Sequence, residues 1–304
     1  MAAQSREEAS VQGNGSGRPQ LCSGSGSTGC PGRLAQSDQF QSSSEHQAFL
    51  GSLARRRMLV ATARAVLLAA FVALWEVAAR FGWINAFVVS QPSKALATAA
   101  AMARRGDLWL HLGMTVGETA IGFTVGTLIG IVVAVMLWWS DLLSDILDPY
   151  IVVLNSIPKV ALGPIFIVWL GTTVTAIIAM AISISVIVTI MMVYVGFREV
   201  DPDRVKLLRT FGATRLQILS KVVLPSSVPV MIAALKVNVG LSMVGTIVGE
   251  FLVSKAGLGF LIVYGGQVFN MSLVMSSVIL LSIVSVVLYY AVSALEQAVL
   301  RTRE

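Results

Sequence analysis

The sequence predicts an all-α integral membrane protein, and two properties of the chain support that fold class. Hydrophobic residues make up 56% of the 304 residues and charged residues only 12%, which is more apolar surface than a soluble domain of this size can bury. Apolar stretches of about 20 residues, the length that a helix needs to cross a bilayer, recur along the sequence. A membrane β-barrel would instead show short segments of alternating hydrophobicity, which this sequence lacks.

Six apolar stretches are predicted to cross the membrane, and their periodic glycine and serine residues predict close packing between helices. Three prolines, Pro149, Pro158 and Pro164, fall within the third stretch, so that span is predicted to be kinked or broken. Pro92 and the alanine-rich run after it predict a further helix at the membrane interface. The predicted spans are residues 59–80, 116–139, 147–170, 174–196, 226–252 and 273–298.

Residues 1–50 differ from the remainder of the chain because they are rich in serine, glycine and glutamine. Such a segment cannot bury enough apolar surface to offset the entropy lost on folding, so we expect it to be disordered. Cys22 and Cys30 lie in this tail without a second Cys/His pair, and we expect no metal site. The sequence therefore predicts a disordered tail, 1–50, and a transmembrane domain, 51–304.

The positive charge of the chain, formally +6, is concentrated on one side of the predicted membrane domain. Six spans place both termini and residues 197–224 on that side, and membrane proteins enrich lysine and arginine in their cytoplasmic loops. We therefore expect both termini in the cytoplasm, and the basic composition requires no nucleic-acid partner. The residues that indicate this orientation are Arg55, Arg56, Arg57, Arg198, Arg204, Lys206, Arg209, Arg215, Lys221, Arg301 and Arg303.

Residues 197–224 form a charged, amphipathic segment between two long apolar stretches. Gly212 interrupts its helical pattern, so the chain is predicted to bend there or to approach another group closely. Thr214 is predicted to cap a second short helix over residues 215–222, which the Leu224-Pro225 pair would end. Two interpretations of the segment are open: a plain interfacial helix on the inner leaflet, or a docking helix that inserts into a partner's groove.

Polar and charged residues inside the predicted spans are candidates for function, because burying a charge in a membrane is costly. Those of the fifth span are spaced four apart on one helical face, which could line a water-filled path or pack between helices. For Glu250, near the outer end of that span, a structural hydrogen-bonding anchor is favoured over a solute contact. The candidate path residues are Asn155, Ser156, Lys159, Asn238, Ser242, Thr246 and Glu250.

The stretch "LRTFGATRLQILSKVVLPSSVP", residues 208–229, resembles a cytoplasmic loop of permease subunits of bacterial ATP-binding-cassette importers. That loop carries Glu-Ala-Ala, a glycine four residues after the second alanine, and a Leu-Pro ending. Gly212 and Leu224-Pro225 occupy the last two of these places. Other stretches extend the resemblance, to the nitrate/sulfonate/taurine-type permeases, over roughly residues 60–300: "QPSKAL", "GDLWLHLGMTV", "NSIPKVALGPIFIVWLG", and "VGEF" followed by "GLG".

The resemblance implies a MetI-like importer permease fold with six transmembrane helices and a cytoplasmic coupling helix. It implies a homodimer of permease chains in the bacterial inner membrane, with two ATPase subunits and an extracytoplasmic solute-binding protein. ATP and Mg²⁺ would bind to the ATPase, so no catalysis and no cofactor are expected in this chain. The expected solute is a small anion such as a sulfonate, taurine or nitrate. The residues expected to couple to the ATPase are Lys206, Leu208, Arg209, Thr210, Phe211, Gly212, Ala213, Thr214 and Arg215.

Two departures from the family pattern concern the partner and the local salt bridges. Lys206, Leu207 and Leu208 stand where the family usually has Glu-Ala-Ala, and Glu118 stands near a place where relatives usually carry arginine. An ion-gradient-driven secondary transporter is the main alternative, but such proteins often contain inverted repeats, and no convincing repeat is found. A channel lacks a run of pore-lining charge, and an enzyme lacks a nucleophile–base or metal set.

Overall fold

The computed structural model describes residues 44–83 and 89–301. The predicted disordered tail lies outside the described residues as far as position 43, and a helix begins at Ser44. The chain divides into two compact units, Met1–Arg64 and Ala65–Glu304. The described residues of the first unit are entirely helical, and the second unit contains all the later helices.

Helices make up nearly all of the described residues, which contain no β-strand. Two short turns of other helical types interrupt the α-helices: a 3₁₀ turn at Lys159–Leu162 and a π-helical turn at Leu219–Val223. In chain order the α-helices are α1 (Ser44–Arg80), α2 (Pro92–Arg105), α3 (Asp107–Trp139), α4 (Asp141–Ser156), α5 (Gly163–Leu170), α6 (Val174–Arg198), α7 (Pro202–Thr210), α8 (Arg215–Ile218), α9 (Leu224–Val253), α10 (Leu258–Gln267) and α11 (Met271–Arg301).

Among the described residues, five helical stretches are long and apolar enough to cross a bilayer, and there are six if a bent pair is counted as one broken span. The bent pair joins Asp141–Ser156 to Lys159–Leu170 at an angle of 89°. Pro158 lies at the bend and cannot donate the backbone hydrogen bond that would continue α4. The predicted break in the third span is therefore confirmed. The five unbent stretches are Met58–Arg80, Asp107–Trp139, Val174–Arg198, Arg215–Val253 and Met271–Ala294.

The helix that contains the second predicted span begins before that span, because α3 starts at Asp107 whereas the span is predicted from residue 116. Asp107 lies in the first turn, where a carboxylate interacts favourably with the positive end of the helix dipole. His111 finds a partner one turn further on, since its Nδ1 accepts a hydrogen bond of 3.0 Å from the Gly257 N–H. These two interactions accommodate polar residues that hydropathy alone places outside a span.

The predicted end of the short helix at Leu224-Pro225 is wrong. Instead, α8 continues through the π-helical turn Leu219–Val223 directly into α9, which gives one helical stretch from Arg215 to Val253. Proline is tolerated in the first turn of a helix, where no N–H is needed. The π-helical turn, with its i→i+5 hydrogen-bond register, precedes Pro225 and lets the helix proceed through it.

Small residues bring α6 into close contact with both α3 and α9. A Cβ atom added to Gly122 of α3 would lie 2.5 Å from the Cβ of Ala181, and one added to Gly245 of α9 would lie 2.5 Å from the Ala181 Cα. Gly126 and Gly130 repeat the contact at intervals of four residues along α3. Side chains at these places would hold the helices apart, so the predicted close packing through small residues is confirmed.

Candidate functional site

The coupling segment, residues 199–223, connects α6 to α9 and contains the short helix α7. The Asp201 side chain begins α7 by accepting a hydrogen bond of 2.9 Å from the Asp203 N–H. Gly212 ends it in a left-handed conformation with φ of 76°, and its N–H donates to the Arg209 carbonyl at 3.0 Å. The Ala213 N–H donates to the Leu208 carbonyl, also at 3.0 Å. This pair of bonds is the Schellman arrangement, so the predicted bend at Gly212 is confirmed.

Thr214 begins the next helical turn, as predicted, through a reciprocal pair of hydrogen bonds. Its hydroxyl accepts from the Gln217 N–H at 3.4 Å, and the Gln217 side-chain oxygen accepts from the Thr214 N–H at 2.8 Å. Two N–H groups that would otherwise lack partners at the start of α8 are thereby satisfied. On either side of Gly212, Leu208 and Ala213 pack against the buried core that contains Phe197. Local hydrogen bonds and this packing therefore fix the segment to the helix bundle.

Three apolar side chains of the coupling segment are exposed rather than packed. Leu207 is 57% exposed, Phe211 76% and Leu216 63%. Two other leucines of the segment are covered, because Leu208 is half-buried and Leu219 is buried. We call Leu207, Phe211 and Leu216 the exposed patch.

Three basic residues of the segment, Lys206, Arg209 and Arg215, line a cleft. Lys206 lies 3.3 Å from the Asp203 carboxylate, and Arg215 donates 2.7 Å to the main-chain carbonyl of Trp139 at the end of α3. A cation is favourable at that place because the last carbonyls of a helix lack partners. Thr210, by contrast, donates to the Lys206 carbonyl at 3.0 Å within α7 itself. The basic cleft, about 390 Å³ in volume, is lined by Leu137, Trp138, Asp141, Phe197, Arg198, Val200, Pro202, Val205, Lys206, Arg209, Arg215 and Ile218.

The predicted path residues of the broken third span lie at its bend. Asn155 and Ser156 are exposed and Lys159 is partly exposed. The Lys159 ammonium donates to the Asn155 carbonyl at 3.0 Å and to its side-chain oxygen at 3.3 Å, while Ser156 donates to the Val152 carbonyl at 3.0 Å. A lysine at the end of α4 therefore satisfies a carbonyl that the bend leaves without its helical partner. The polar groups of Asn155 and Lys159 therefore contact each other, while Ser156 bonds within α4.

The predicted path residues of the fifth span lie in a packed interior. Asn238, Ser242 and Thr246 have no exposed surface. The Asn238 amide donates to the Thr127 hydroxyl of α3 at 3.1 Å and to the Thr189 hydroxyl of α6. Thr246 donates back to the Ser242 carbonyl at 3.1 Å within α9. Within this chain Asn238 therefore connects α9 to α3 and α6, while Thr246 bonds within α9.

Glu250 anchors the return of the chain between α9 and α10. Its carboxylate accepts a hydrogen bond of 2.6 Å from the Thr115 hydroxyl and one of 2.5 Å from the Gly259 N–H. Thr115 in turn accepts from the Leu258 N–H at 2.8 Å. Gly257 also contacts the carboxylate, because a Cβ atom there would overlap the carboxyl group of Glu250. The geometry agrees with the structural anchor expected at this position.

Glu118 lies beside Glu250, a pairing that the sequence did not predict. Only 3% of Glu118 and 1% of Glu250 are exposed, and the two carboxyl groups are close enough to interact electrostatically. Among the residues that the structure describes, neither oxygen of Glu118 has a hydrogen-bond partner of good geometry. A second buried carboxyl group beside the first is unfavourable when both carry charge. The only signal in the sequence was that Glu118 departs from the residue type usual in similar permeases.

The comparisons with known proteins identify relatives across most of the chain. The family model described as "Binding-protein-dependent transport system inner membrane component" matches residues 126–303. A "Probable ABC transporter permease protein" of Haemophilus influenzae is 28% identical over 72% of this chain and 89% of its own length. The "Taurine transport system permease protein TauC" of Escherichia coli is 23% identical over 76% of this chain and 86% of its own.

A solved structure agrees with the fold described above. This structure is described as "Inward facing conformations of the MetNI methionine ABC transporter". It matches this chain with a TM-score of 0.57 and a sequence identity of 22%. The match covers 63% of this chain and 97% of the other. At this level of identity the similarity establishes the arrangement of the helices but not the identity of the solute.

Proposed function

Since this chain belongs to the family of inner membrane components of binding-protein-dependent transport systems, we propose that its coupling segment docks onto the ATPase that drives transport. The chain is the transmembrane subunit of an ATP-driven importer, with the all-helical architecture that the sequence predicted. The same family match argues against the alternative of an ion-gradient-driven secondary transporter. Permeases of this kind act with an ATPase and a solute-binding protein.

The exposed patch is the observation that carries the docking proposal. Leu207, Phe211 and Leu216 project apolar surface from a segment whose backbone is fixed by caps at both of its short helices. Burying one such side chain in a partner's groove contributes about 1.5–3 kcal/mol, and a helix in a groove is a common mode of recognition. A preorganised segment also loses little conformational entropy when it binds.

The attachment of the segment to the bundle supports a role as a rigid lever. Leu208 and Ala213 pack on the core formed by α3, α6 and α9, and Arg215 is hydrogen-bonded to the end of α3. Movement of an ATPase that holds Phe211 would therefore be transmitted to three membrane-spanning helices at once. We place ATP and Mg²⁺ on the ATPase, with no cofactor and no catalytic group in this chain. The result would be a rigid-body switch between two packings of the helices.

A second copy of the chain completes the proposed path. The bend of the third span presents Asn155, Ser156 and Lys159 at a surface, beside exposed apolar side chains such as Val168, which is 82% exposed. Two such surfaces that face each other in a homodimer would enclose a polar route. We assign Asn238, Ser242, Thr246 and Glu250 to the packing that supports this route.

The proposed solute is a small anion such as a sulfonate, with taurine and nitrate as related candidates. Lys159 supplies a positive charge at the bend, and the Escherichia coli relative is described as a taurine permease. The proposed location is the bacterial inner membrane with both termini in the cytoplasm, because the basic residues concentrate at the end of the bundle that carries the coupling segment.

The test is ATP hydrolysis by a complex reassembled from the chain, the ATPase and the solute-binding protein encoded beside it. We expect the three proteins to co-purify and hydrolysis to rise when the binding protein carries its solute. Taurine, an alkyl sulfonate and nitrate are compared, and the solute that stimulates most identifies the substrate class. Transport by this chain alone in vesicles without ATP would contradict the proposal.

A further inference from the structure

We propose that the basic cleft binds the phosphate headgroup of an anionic phospholipid at the membrane surface. The cleft lies between the end of α3 and the inner side of α7, and its volume of about 390 Å³ is in the range of small-molecule sites. It is a different surface from the exposed patch, so the inference does not depend on docking of the ATPase.

The charges that line the basic cleft are unbalanced. Four cationic side chains line it against a single lining carboxylate, that of Asp141, and one of the four, Lys206, is paired with Asp203 outside the lining. The four are Arg198, Lys206, Arg209 and Arg215. Within the part of the chain that the structure describes, no hydrogen bond or ion pair engages the Arg209 guanidinium. Its five N–H donors in a planar fork suit a phosphate, which they can bind through two parallel hydrogen bonds.

The other basic side chains are oriented by contacts that leave donors free. The Arg198 guanidinium donates to the Tyr194 hydroxyl at 3.2 Å and lies 5.9 Å from the centre of that ring. Arg215 uses one nitrogen on the Trp139 carbonyl. Each therefore keeps further N–H groups available to an anion. The cleft presents several positioned donors rather than a single mobile charge.

The position of the cleft favours a lipid over a protein carboxylate. Its lining includes Trp138, and Trp139 beside it is 41% exposed, as expected for aromatic residues at the level of the headgroups. Leu137, Phe197 and Ile218 are buried and form an apolar floor beneath the basic rim. Basic pockets between membrane helices at this level bind anionic headgroups.

The two faces of α7 separate the cleft from the docking surface. Pro202, Val205, Lys206 and Arg209 follow the spacing i, i+3, i+4 and i+7, which places them on one side of the helix, and all four line the cleft. Leu207 lies on the other side of α7. This arrangement explains why a basic residue at position 206 is compatible with an apolar docking face.

The experiment uses the full chain alone, without ATPase, in micelles that contain equal amounts of phosphatidylglycerol and phosphatidylcholine. Native mass spectrometry counts the lipids that each variant retains. Arg209→Gln removes a cleft charge, and Arg204→Gln is the matched control because Arg204 is absent from the cleft lining and pairs with Asp201 at 3.7 Å. We expect Arg209→Gln to lower phosphatidylglycerol retention roughly five-fold, the effect of one basic residue near a membrane surface, and Arg204→Gln to leave it unchanged.

Three outcomes would overturn the inference. The first is equal retention of the two lipids, or an equal loss in both variants. The second is displacement of phosphatidylglycerol by millimolar inorganic phosphate, which would identify a soluble phosphate as the ligand. The third is unchanged phosphatidylglycerol retention in a folded Arg209→Gln variant, which would show that the Arg209 guanidinium does not bind the headgroup. If Arg209→Gln does not fold, as judged by circular dichroism and gel filtration, Lys206→Gln replaces it with the same expectations.

Discussion

The chain requires a glycine both before and after α9, at Gly212 in the coupling segment and at Gly257 in the return to α10, but for different physical reasons. At the coupling segment, Gly212 has φ of 76° and nothing within 4 Å of where a Cβ atom would lie, so only its backbone conformation requires glycine. At the opposite end, Gly257 has φ of 126° and in addition packs directly on the Glu250 carboxyl group. Gly212 therefore lies beside open space, while Gly257 packs against a carboxyl group that is hydrogen-bonded within the chain.

This difference indicates which end is built for a partner. The return at residues 254–259 is closed by Glu250, Thr115 and His111, which accept hydrogen bonds from within the chain. The coupling segment has an equally well-defined backbone, but it leaves Leu207 and Phe211 exposed. A fixed backbone with uncovered apolar side chains fits a docking element, whereas a fixed backbone around buried carboxyl groups fits a structural joint.

The largest effect is expected for Gly257→Ala at the closed end. The new methyl group would overlap the Glu250 carboxyl group and the residue would be held at positive φ. We expect a loss of about 2–5 kcal/mol in stability, the sum of overpacking and backbone strain. Gly266→Ala is the control, because nothing lies within 4 Å of its added Cβ. Thermal unfolding in detergent measures both, and equal melting temperatures would contradict the close contact at Gly257.

Replacement of Glu118 by glutamine is expected to stabilise the same joint. The change removes an ionisable group beside Glu250 and supplies an amide donor where, among the described residues, the Glu118 oxygens form no well-aligned hydrogen bond. An unsatisfied buried polar group costs about 1–3 kcal/mol, so we expect a gain of about that size at most. The melting temperature should rise for Glu118→Gln and fall for Glu250→Gln, which disturbs the bonds to Thr115 and Gly259. A fall in both variants would show that Glu118 contributes a favourable interaction.

At the open end, Gly212→Ala and Gly212→Asn separate backbone conformation from contact with a partner. Alanine in the left-handed conformation costs about 1–2 kcal/mol, whereas asparagine adopts it more readily. If Gly212 is needed only for its backbone, Gly212→Asn retains ATPase binding and Gly212→Ala weakens it. If the ATPase approaches Gly212 closely, both variants lose ATPase binding, and the two variants still differ in melting temperature. Binding unchanged in both variants would contradict a role for the bend in docking.

The smallest effect is expected for Thr214→Ala, which removes the cap of α8. Loss of such a cap costs about 1 kcal/mol, and the Gln217 N–H would lose its partner. Thr210→Ala is the matched control, because that hydroxyl bonds to a carbonyl inside α7 and caps nothing. We expect faster hydrogen exchange at residues 215–217 in Thr214→Ala alone. The same exchange rates in both variants would contradict the capping role.

Local rules in the sequence predicted the coupling segment well. The bend at Gly212 and the cap at Thr214 depend on neighbours within three or four residues, and both are confirmed. The break at Pro158 has the same local origin. The end predicted at Leu224-Pro225 is wrong because the π-helical turn before Pro225 carries the helix through a residue that usually interrupts one.

Features that depend on distant partners could not be predicted. Glu118 and Glu250 are on different helices, and no periodicity indicates that their side chains meet. The early start of α3 also depends on a distant partner, since His111 bonds to Gly257. The sequence likewise could not show whether Asn238 faces a water-filled path or a neighbouring helix, because polar residues spaced four apart on one helical face are compatible with both.

Docking of the ATPase on the exposed patch is tested by co-purification of the ATPase with a Leu207→Ser/Phe211→Ser double variant. Leu110→Ser/Trp109→Ser is the matched control, since Leu110 is 62% and Trp109 66% exposed near the opposite end of the bundle. We expect at least a roughly hundred-fold loss of ATPase affinity for the patch variant, from about 3 kcal/mol or more of lost apolar burial, and none for the control. Full retention of the ATPase by a folded patch variant would contradict it.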